Sequence, residues 1–458
     1  MLLPVVRERL EKLLRLPALE GALTTLRMGE TEVSLSGLQP AAKALLAAFF
    51  AGELRRPAFY LVASNKQAEA IAETMRFFAS VFSAGNVVVL PAFDTLPWDA
   101  RSPHADILER RAATLYRLAS GQAQLLIAPV SAALWRYRPY YSYESLTKTL
   151  KPDDEVSLDG FVGHLGAVGY ARTEMVEMPG QFAQRGGIVD LFSPESPRPV
   201  RIELLGDTVE SIREFDARTQ RSIAPVVRTT VLPLTEWAVP ADTTESWDLP
   251  SYWGAKDESA QQHSLFELSS STLKPVVFLD EPALIAESAR KLLSDATETY
   301  ERHGSANSPT ADHLYWREEN LRSALDTATQ VKLEELGMES GERKFFNVSS
   351  RPSGRFHGDV VACVGAIKAQ LAEGGTVYLS AASTGELERL ADISREYEVP
   401  YVLGESEDAA AGFTAESAQE SAALVLVRAP FAAGIAFPDA SLTLYGNSDL
   451  FDVTPSVE

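Results

Sequence analysis

The first candidate for chemistry is a phosphate loop. The stretch Gly37-Leu-Gln-Pro-Ala-Ala-Lys-Ala44 follows a short apolar run and leads into an Ala-, Leu- and Phe-rich segment. A working nucleotide loop has the form G-x-x-x-x-G-K-[ST] between a strand and a helix. Gly37 and Lys43 fit that spacing, but Ala42 stands at the second glycine and Ala44 at the hydroxyl that binds magnesium. The glycine lets backbone amides wrap the phosphates, and the hydroxyl is a metal ligand. Pro40 removes a further amide donor. The second candidate, Pro275-Val-Val-Phe-Leu-Asp-Glu-Pro282, is an apolar strand ending in two carboxylates. Such a pair holds Mg²⁺ and orients water in nucleotide hydrolases. One glycine and one lysine at set spacing can be coincidence, and many strands end in acids for solvation. Their joint occurrence favours an eroded nucleotide site at Gly37, Ala42, Lys43, Ala44, Asp280 and Glu281, without ATP hydrolysis and without a bound cofactor.

Other reactive residue types give less. Cys363, the single cysteine, lies in an apolar run and is expected to be a buried small hydrophobe. One cysteine excludes an internal disulfide framework, and six scattered histidines lack ligand spacing, so no metal is expected. Trp135-Arg-Tyr-Arg-Pro-Tyr-Tyr-Ser-Tyr143 alternates aromatics with arginines, as a single-strand stacking platform would. Interdomain packing is the preferred use, because the surroundings are acidic. No catalytic serine–histidine or paired-carboxylate arrangement separates from ordinary surface polarity.

These residues need a large scaffold. A chain of 458 residues exceeds one ordinary domain, and 45% hydrophobic with 23% charged residues is globular composition. Forty-two basic against 63 acidic residues give a net charge of −21, which argues against broad nucleic-acid binding. The opening residues meet charges too early for a signal peptide, and no apolar run reaches membrane-spanning length, so a cytoplasmic location is expected. Helical spacing near the start is followed by buried β runs at 31–35, 58–63, 86–90 and 124–128, with helical segments at 41–50, 66–82 and 107–119. That alternation predicts βαβ units on a parallel sheet. After about Thr147 the pattern changes to a short helix at 158–168 and extended segments at 182–192 and 200–215, a compact α+β insert. A buried strand at 275–279 and helices at 282–299 and 313–329 return to the body. A last small α/β unit is expected from Lys344, and the acidic stretch 405–421 is expected to be a loop.

Two longer stretches carry a family resemblance. One is Leu90-Pro-Ala-Phe-Asp-Thr-Leu-Pro-Trp-Asp99 with Ser102-Pro-His-Ala-Asp-Ile-Leu-Glu-Arg-Arg-Ala-Ala-Thr-Leu115. The other is Met178-Pro-Gly-Gln-Phe-Ala-Gln-Arg-Gly-Gly-Ile-Val-Asp-Leu-Phe-Ser-Pro194, continued by residues 200–216. Together they resemble the amino-terminal module of the bacterial transcription-repair coupling factors, the Mfd family, which is itself similar to the excision-repair protein UvrB. The resemblance extends to Gly434–Phe451. The space between Leu90 and Ile107 is too short for the long DNA-clamping hairpin of UvrB.

The resemblance implies a P-loop-like α/β body with a degenerate nucleotide site, divided as 1–146 and 233–343, an insert at 147–232 that docks UvrA, and a third domain at 344–458. It further implies that the family's RNA polymerase-binding and translocase domains, which act on double-stranded DNA, would follow. It also implies that the docking face is covered by the motor until the motor engages. By position, the UvrA contacts would be Arg185, Arg201 and Leu205, the last departing from a phenylalanine found in relatives. Strand alternation supports this reading, since Val200, Ile202 and Leu204 share one face and Arg201, Glu203 and Leu205 the other. Gly206-Asp207 supplies a turn, and Gly186-Gly187 suits a bulge that would aim Arg185 outward. Ion pairing of Arg201 with a neighbouring acid is the plainer use. The rival function is a UvrB-like, ATP-dependent damage-verification enzyme that binds DNA.

Overall fold

The computed structural model describes residues 4–99, 101–238, 263–305, 308–337, 344–404, 423–429 and 433–451. Helices α1 (Pro4–Leu14) and α2 (Pro17–Arg27) precede strand β1 (Glu32–Ser36). Then α3 (Pro40–Leu54), β2 (Ala58–Val62), α4 (Asn65–Phe82), β3 (Val87–Val89), α5 (Ala105–Ala119) and β4 (Leu125–Pro129) alternate. Strands β2 and β4 are buried at every position, as expected for a parallel sheet covered on both faces. The Ser64 hydroxyl caps α4 by accepting from the Gln67 amide. Ile71, Met75, Phe78 and Phe82 then form one buried stripe at helical spacing. Phe82 meets Phe49 of α3 edge-on at 5.6 Å. Each such side chain contributes about 1.5–3 kcal/mol of burial.

The insert begins with β5 (Lys148–Leu150) and α6 (Leu158–Ala167). It continues through β6 (Ala171–Arg172), β7 (Gln181–Arg185), β8 (Ile188–Leu191), β9 (Val200–Leu205), β10 (Thr208–Phe215), β11 (Ser222–Pro225) and β12 (Thr229–Val231). Six of these strands form one sheet in the order β11-β10-β9-β8-β7-β6, and β5 pairs with β12. One face of the larger sheet packs Val189, Ile202, Leu204 and Ile212 against Phe161 and Leu165 of α6.

The body resumes with β13 (Val276–Asp280), α7 (Pro282–His303), α8 (Glu318–Thr327), β14 (Thr329–Leu333) and β15 (Lys344–Asn347). Its seven strands run in the order β15-β1-β14-β13-β2-β4-β3, with every pairing parallel. A buried ion pair ties the body to the segment that leaves the insert. Arg111 on α5 donates from Nε and Nη2 to the two carboxylate oxygens of Glu236, at 3.2 and 3.1 Å, and from Nη1 to Pro91 O at 2.7 Å. Its guanidinium lies 3.9 Å from the Phe93 ring centroid.

The third unit holds β16 (Arg351–Pro352), α9 (Val360–Ala372), β17 (Thr376–Ala381), α10 (Thr384–Glu396), β18 (Tyr401–Leu403), β19 (Leu424–Arg428), β20 (Ile435–Phe437) and β21 (Leu442–Tyr445). The strand order is β16-β20-β21-β17-β19-β18. It is fastened to the start of the chain: Val6, Leu10 and Leu13 join one core with Tyr378, Val402, Val427 and Leu442. The Tyr378 hydroxyl donates to Val6 O at 2.7 Å.

Three details depart from the sequence reading. Lys344–Asn347 does not open the third unit but pairs with β1 at the edge of the body sheet. The expected helix at 313–329 is broken, because Trp135 and Tyr315 form a β-bridge and the Trp316 amide donates to Leu134 O at 2.7 Å. Gly186-Gly187 forms a two-residue hairpin rather than a bulge, with Arg185 and Ile188 directly paired. Gly186 has a φ of +59°, a conformation that favours glycine. Cys363 lies buried in α9, and its thiol pKa is pushed up to about 12, chiefly by burial. Trp135 and Tyr137 are buried, and Arg136 stacks on Trp316 at 3.9 Å, which is the packing role. No helix among the described residues is long and apolar enough to cross a membrane, and no group of His, Cys, Asp and Glu among them could hold a metal ion. The acidic stretch 405–421 lies outside the described residues.

Candidate functional site

The outward face of the insert sheet is assembled by strand pairing. Arg185 opposes Ile188, Ile188 opposes Glu203, Asp190 opposes Arg201, and Arg201 opposes Arg213. Directly paired residues share a face, so all of these lie opposite the α6 core. Leu205 ends β9 on the same side and is 73% exposed. The adjoining turn is Gly206-Asp207, where Gly206 takes a φ of +64°. Arg185 is exposed at the neighbouring hairpin, and its Nη2 donates to Glu174 O at 2.5 Å.

Arg201 differs from Arg185. It donates from Nε and Nη2 to the two oxygens of Asp190, at 2.7 and 2.9 Å, and lies 5.1 Å over the Phe215 ring. Asp190 is only 4% exposed. The hydrogen bond to Asp190, first among the causes, raises the Arg201 pKa further. Ion pairing, the plainer use of this side chain, is therefore realised. Arg201 remains at the surface with a fifth of its side chain exposed. Sequence reasoning missed Ile188, which is 37% exposed, and the exposed Arg213. The signal for Ile188 was available, since it stands across a two-residue turn from Arg185.

The phosphate-loop position lies on the body, at the carboxyl ends of β1, β13, β14 and β15. Gly37 has a φ of +77°, and a Cβ there would sit 2.5 Å from Val348 O, so only glycine fits. Two loop amides are already engaged by protein. The Leu38 amide donates to Glu334 O at 3.2 Å, and the Gln39 amide to Ser350 Oγ at 2.8 Å. Ser350 Oγ in turn donates to Gly37 O at 2.8 Å. Ala42, Lys43 and Ala44 lie inside α3 and are buried, Lys43 at 4% exposure.

Lys43 Nζ donates to Asp280 Oδ1 and to Glu281 Oε1, both at 2.6 Å. Asp280 Oδ2 accepts from the Tyr60 hydroxyl at 2.9 Å, and Glu281 Oε1 from the Glu335 amide at 2.7 Å. Burial, followed by the nearby Asp280 charge, raises the Tyr60 pKa well above its ordinary value. Glu281 is held at a φ of +56°, a left-handed conformation that costs a non-glycine residue about 1–3 kcal/mol. The structure thus joins Lys43 of the loop to Asp280 and Glu281 of the acidic strand end, while Gly37 is held by Ser350 and Val348 and Ala42 and Ala44 are buried in α3.

Comparison with known proteins adds the following. Residues 149–237 match the family model described as the UvrB interaction domain. The chain is 32% identical over 215 residues to the transcription-repair-coupling factor of Myxococcus xanthus, a match covering 46% of this chain and 18% of that protein. It is 30% identical over 217 residues to that of Escherichia coli K12, covering 47% and 19%. It is 34% identical over 208 residues to that of Mycobacterium bovis, covering 44% and 16%. The matched stretch thus spans less than a fifth of each relative. A solved structure of the yeast DEAD-box splicing factor Prp28 shares 9% identity over 88% of this chain and 64% of its own, with a TM-score of 0.23, too low to bear on function. With a UvrB interaction domain match at residues 149–237 and identities of 30–34% to these relatives, the chain is similar over almost half of its length to transcription-repair-coupling factors.

Proposed function

We propose that this chain is a noncatalytic docking module of transcription-coupled nucleotide excision repair, presenting its insert to UvrA. The observation that carries this reading is the outward face of the insert sheet. It sets the exposed Leu205 and Ile188 beside Arg185 within the segment matching the UvrB interaction domain. An apolar side chain next to an arginine on an otherwise charged surface has the composition of a small contact patch. Arg185 and Leu205 make the contact, and Arg201 orders the face through Asp190. In this reading the insert spans 147–232, the body comprises the flanking residues up to Asn347, and the third domain follows. RNA polymerase and double-stranded DNA are partners of the complete family protein, whose ATP-driven translocation would bring this module to a stalled polymerase.

The noncatalytic part of the proposal rests on the phosphate-loop position. Two loop amides bond to protein, Pro40 has none to offer, and Lys43 is neutralised by the carboxylates that a metal would need. Binding of magnesium nucleotide there would have to break the Lys43 contacts and unpack Val348 from Gly37. The test pairs two assays on the full chain. Capture by UvrA is expected for the wild type and is lost in Arg185→Ala combined with Leu205→Ala, whereas ATP turnover stays at background. Turnover abolished by Lys43→Met would instead support the UvrB-like enzyme.

A further inference from the structure

The opposite end of the body sheet, where β2, β4 and β13 begin, holds a cavity of about 710 Å³. Four arginines line it: Arg7 from α1, Arg27 from the last turn of α2, and Arg55 and Arg56 ahead of β2. One carboxylate answers them. Glu53 accepts from Arg7 Nη2 at 3.3 Å and from Arg27 Nη2 at 2.8 Å. Arg55 is exposed in a left-handed conformation after α3 and has no ion pair among the described residues. Among the described residues, Arg56 donates only to neutral groups, Thr329 Oγ1 at 2.5 Å and Pro275 O at 3.4 Å. Its Nε is buried with no hydrogen-bond partner. Burial also lowers the Arg56 pKa, the mark of a cation lacking a counter-charge.

A plainer explanation is that these arginines neutralise helix ends, since α2, α3, α4 and α5 all terminate near the cavity. Each helix end amounts to about half a negative charge. Four such ends and Glu53 still leave the guanidiniums in excess by about one charge. That surplus stands out in a chain of net charge −21.

We infer that this cavity binds a small polyphosphate, with phosphate oxygens accepting from Arg55, from Arg56 and from the Ser270 hydroxyl on the facing segment. Guanidinium groups match phosphate geometry, and the volume falls in the usual range for small-ligand sites. The site is separate from the phosphate-loop position, which lies at the carboxyl ends of the strands of the same sheet.

Calorimetric titration of the full chain with sodium tripolyphosphate, at fixed ionic strength and with sodium sulfate as control, tests the inference. Saturable binding is expected, at least tenfold weaker in Arg55→Ala and in Arg56→Gln, and unchanged in Lys43→Met. Arg55 is exposed, so its substitution leaves the fold intact and the comparison readable. Tripolyphosphate binding no tighter than sulfate would overturn the inference, as would binding indifferent to Arg55→Ala. Loss in Lys43→Met alone would overturn it too, and with it the reading of the phosphate-loop position. A single-stranded oligonucleotide that binds while tripolyphosphate fails to compete would show a nucleic-acid surface instead.

Discussion

Replacing Lys43 by methionine tests whether the phosphate-loop position has become a structural lock. Methionine keeps most of the buried stem and removes the ammonium, leaving Asp280 and Glu281 facing each other without a counter-charge. Removing one partner of a buried ion pair costs about 3–5 kcal/mol. Asp280 and Glu281 retain 18% and 28% of their side-chain exposure, so water recovers part of that cost. The expected loss is about 2–4 kcal/mol. Urea denaturation followed by far-ultraviolet circular dichroism should move the body transition to lower urea by roughly 1 M, taking about 1–3 kcal/mol per molar for the urea dependence. Adding Asp280→Asn and Glu281→Gln should restore most of the loss, because the repulsion disappears with the carboxylates. Magnesium ATP at millimolar concentration should leave the wild-type transition in place. A ligand at a hundred times its Kd would add about 2.7 kcal/mol. A Lys43→Met transition within 0.5 kcal/mol of wild type, or an ATP-dependent rise that vanishes in Lys43→Met, would refute the reasoning.

Other perturbations separate stability from docking. Arg201→Ala strands the buried Asp190 and should destabilise the insert by about 3 kcal/mol, whereas Arg185→Ala, at an exposed side chain, should change stability by less than about 0.5 kcal/mol; thermal melts of the two variants check this. Arg111→Met leaves Glu236 buried and unpaired and should cost about 3–5 kcal/mol, loosening the junction between body and insert, which limited proteolysis near Glu236 would report. His164 is held neutral by burial first and by the Lys148 cation second, with its pKa lowered to about 4. The unfolded chain takes up that proton near pH 6.5 and the folded chain does not, so stability should fall as pH drops from 6.5 towards 4. His164→Gln should flatten this part of the pH profile, and an unchanged profile would show that His164 does not contribute to it.

Much of the fold was legible because the body strands are continuous apolar runs between amphipathic helices. Residues 58–63 and 124–128, for example, can only be covered strands in such a rhythm. The alternation at Val200–Leu205 likewise placed Leu205 outward before any coordinates. What remained hidden depends on contacts distant in sequence. Lys344–Asn347 carries no mark of its partner β1, three hundred residues earlier. The Lys43 contacts to Asp280 and Glu281 join residues that sequence spacing could name but not bring within bonding distance. Arg201 and Arg185 look alike on the page, and only the pairing of β8 with β9 shows that one is committed to Asp190. The arginine cavity draws on α1, α2 and the turn before β2, and no motif links them.

The most direct test of the docking account is a titration of the isolated chain against purified UvrA, with Leu205→Asp as the variant. Leu205 is exposed and makes no core contact, so the variant should fold as the wild type does. Saturable wild-type binding, weakened at least tenfold by Leu205→Asp with an unchanged melting curve, is the predicted result. Absence of wild-type binding, or equal affinity for the two proteins, would contradict it.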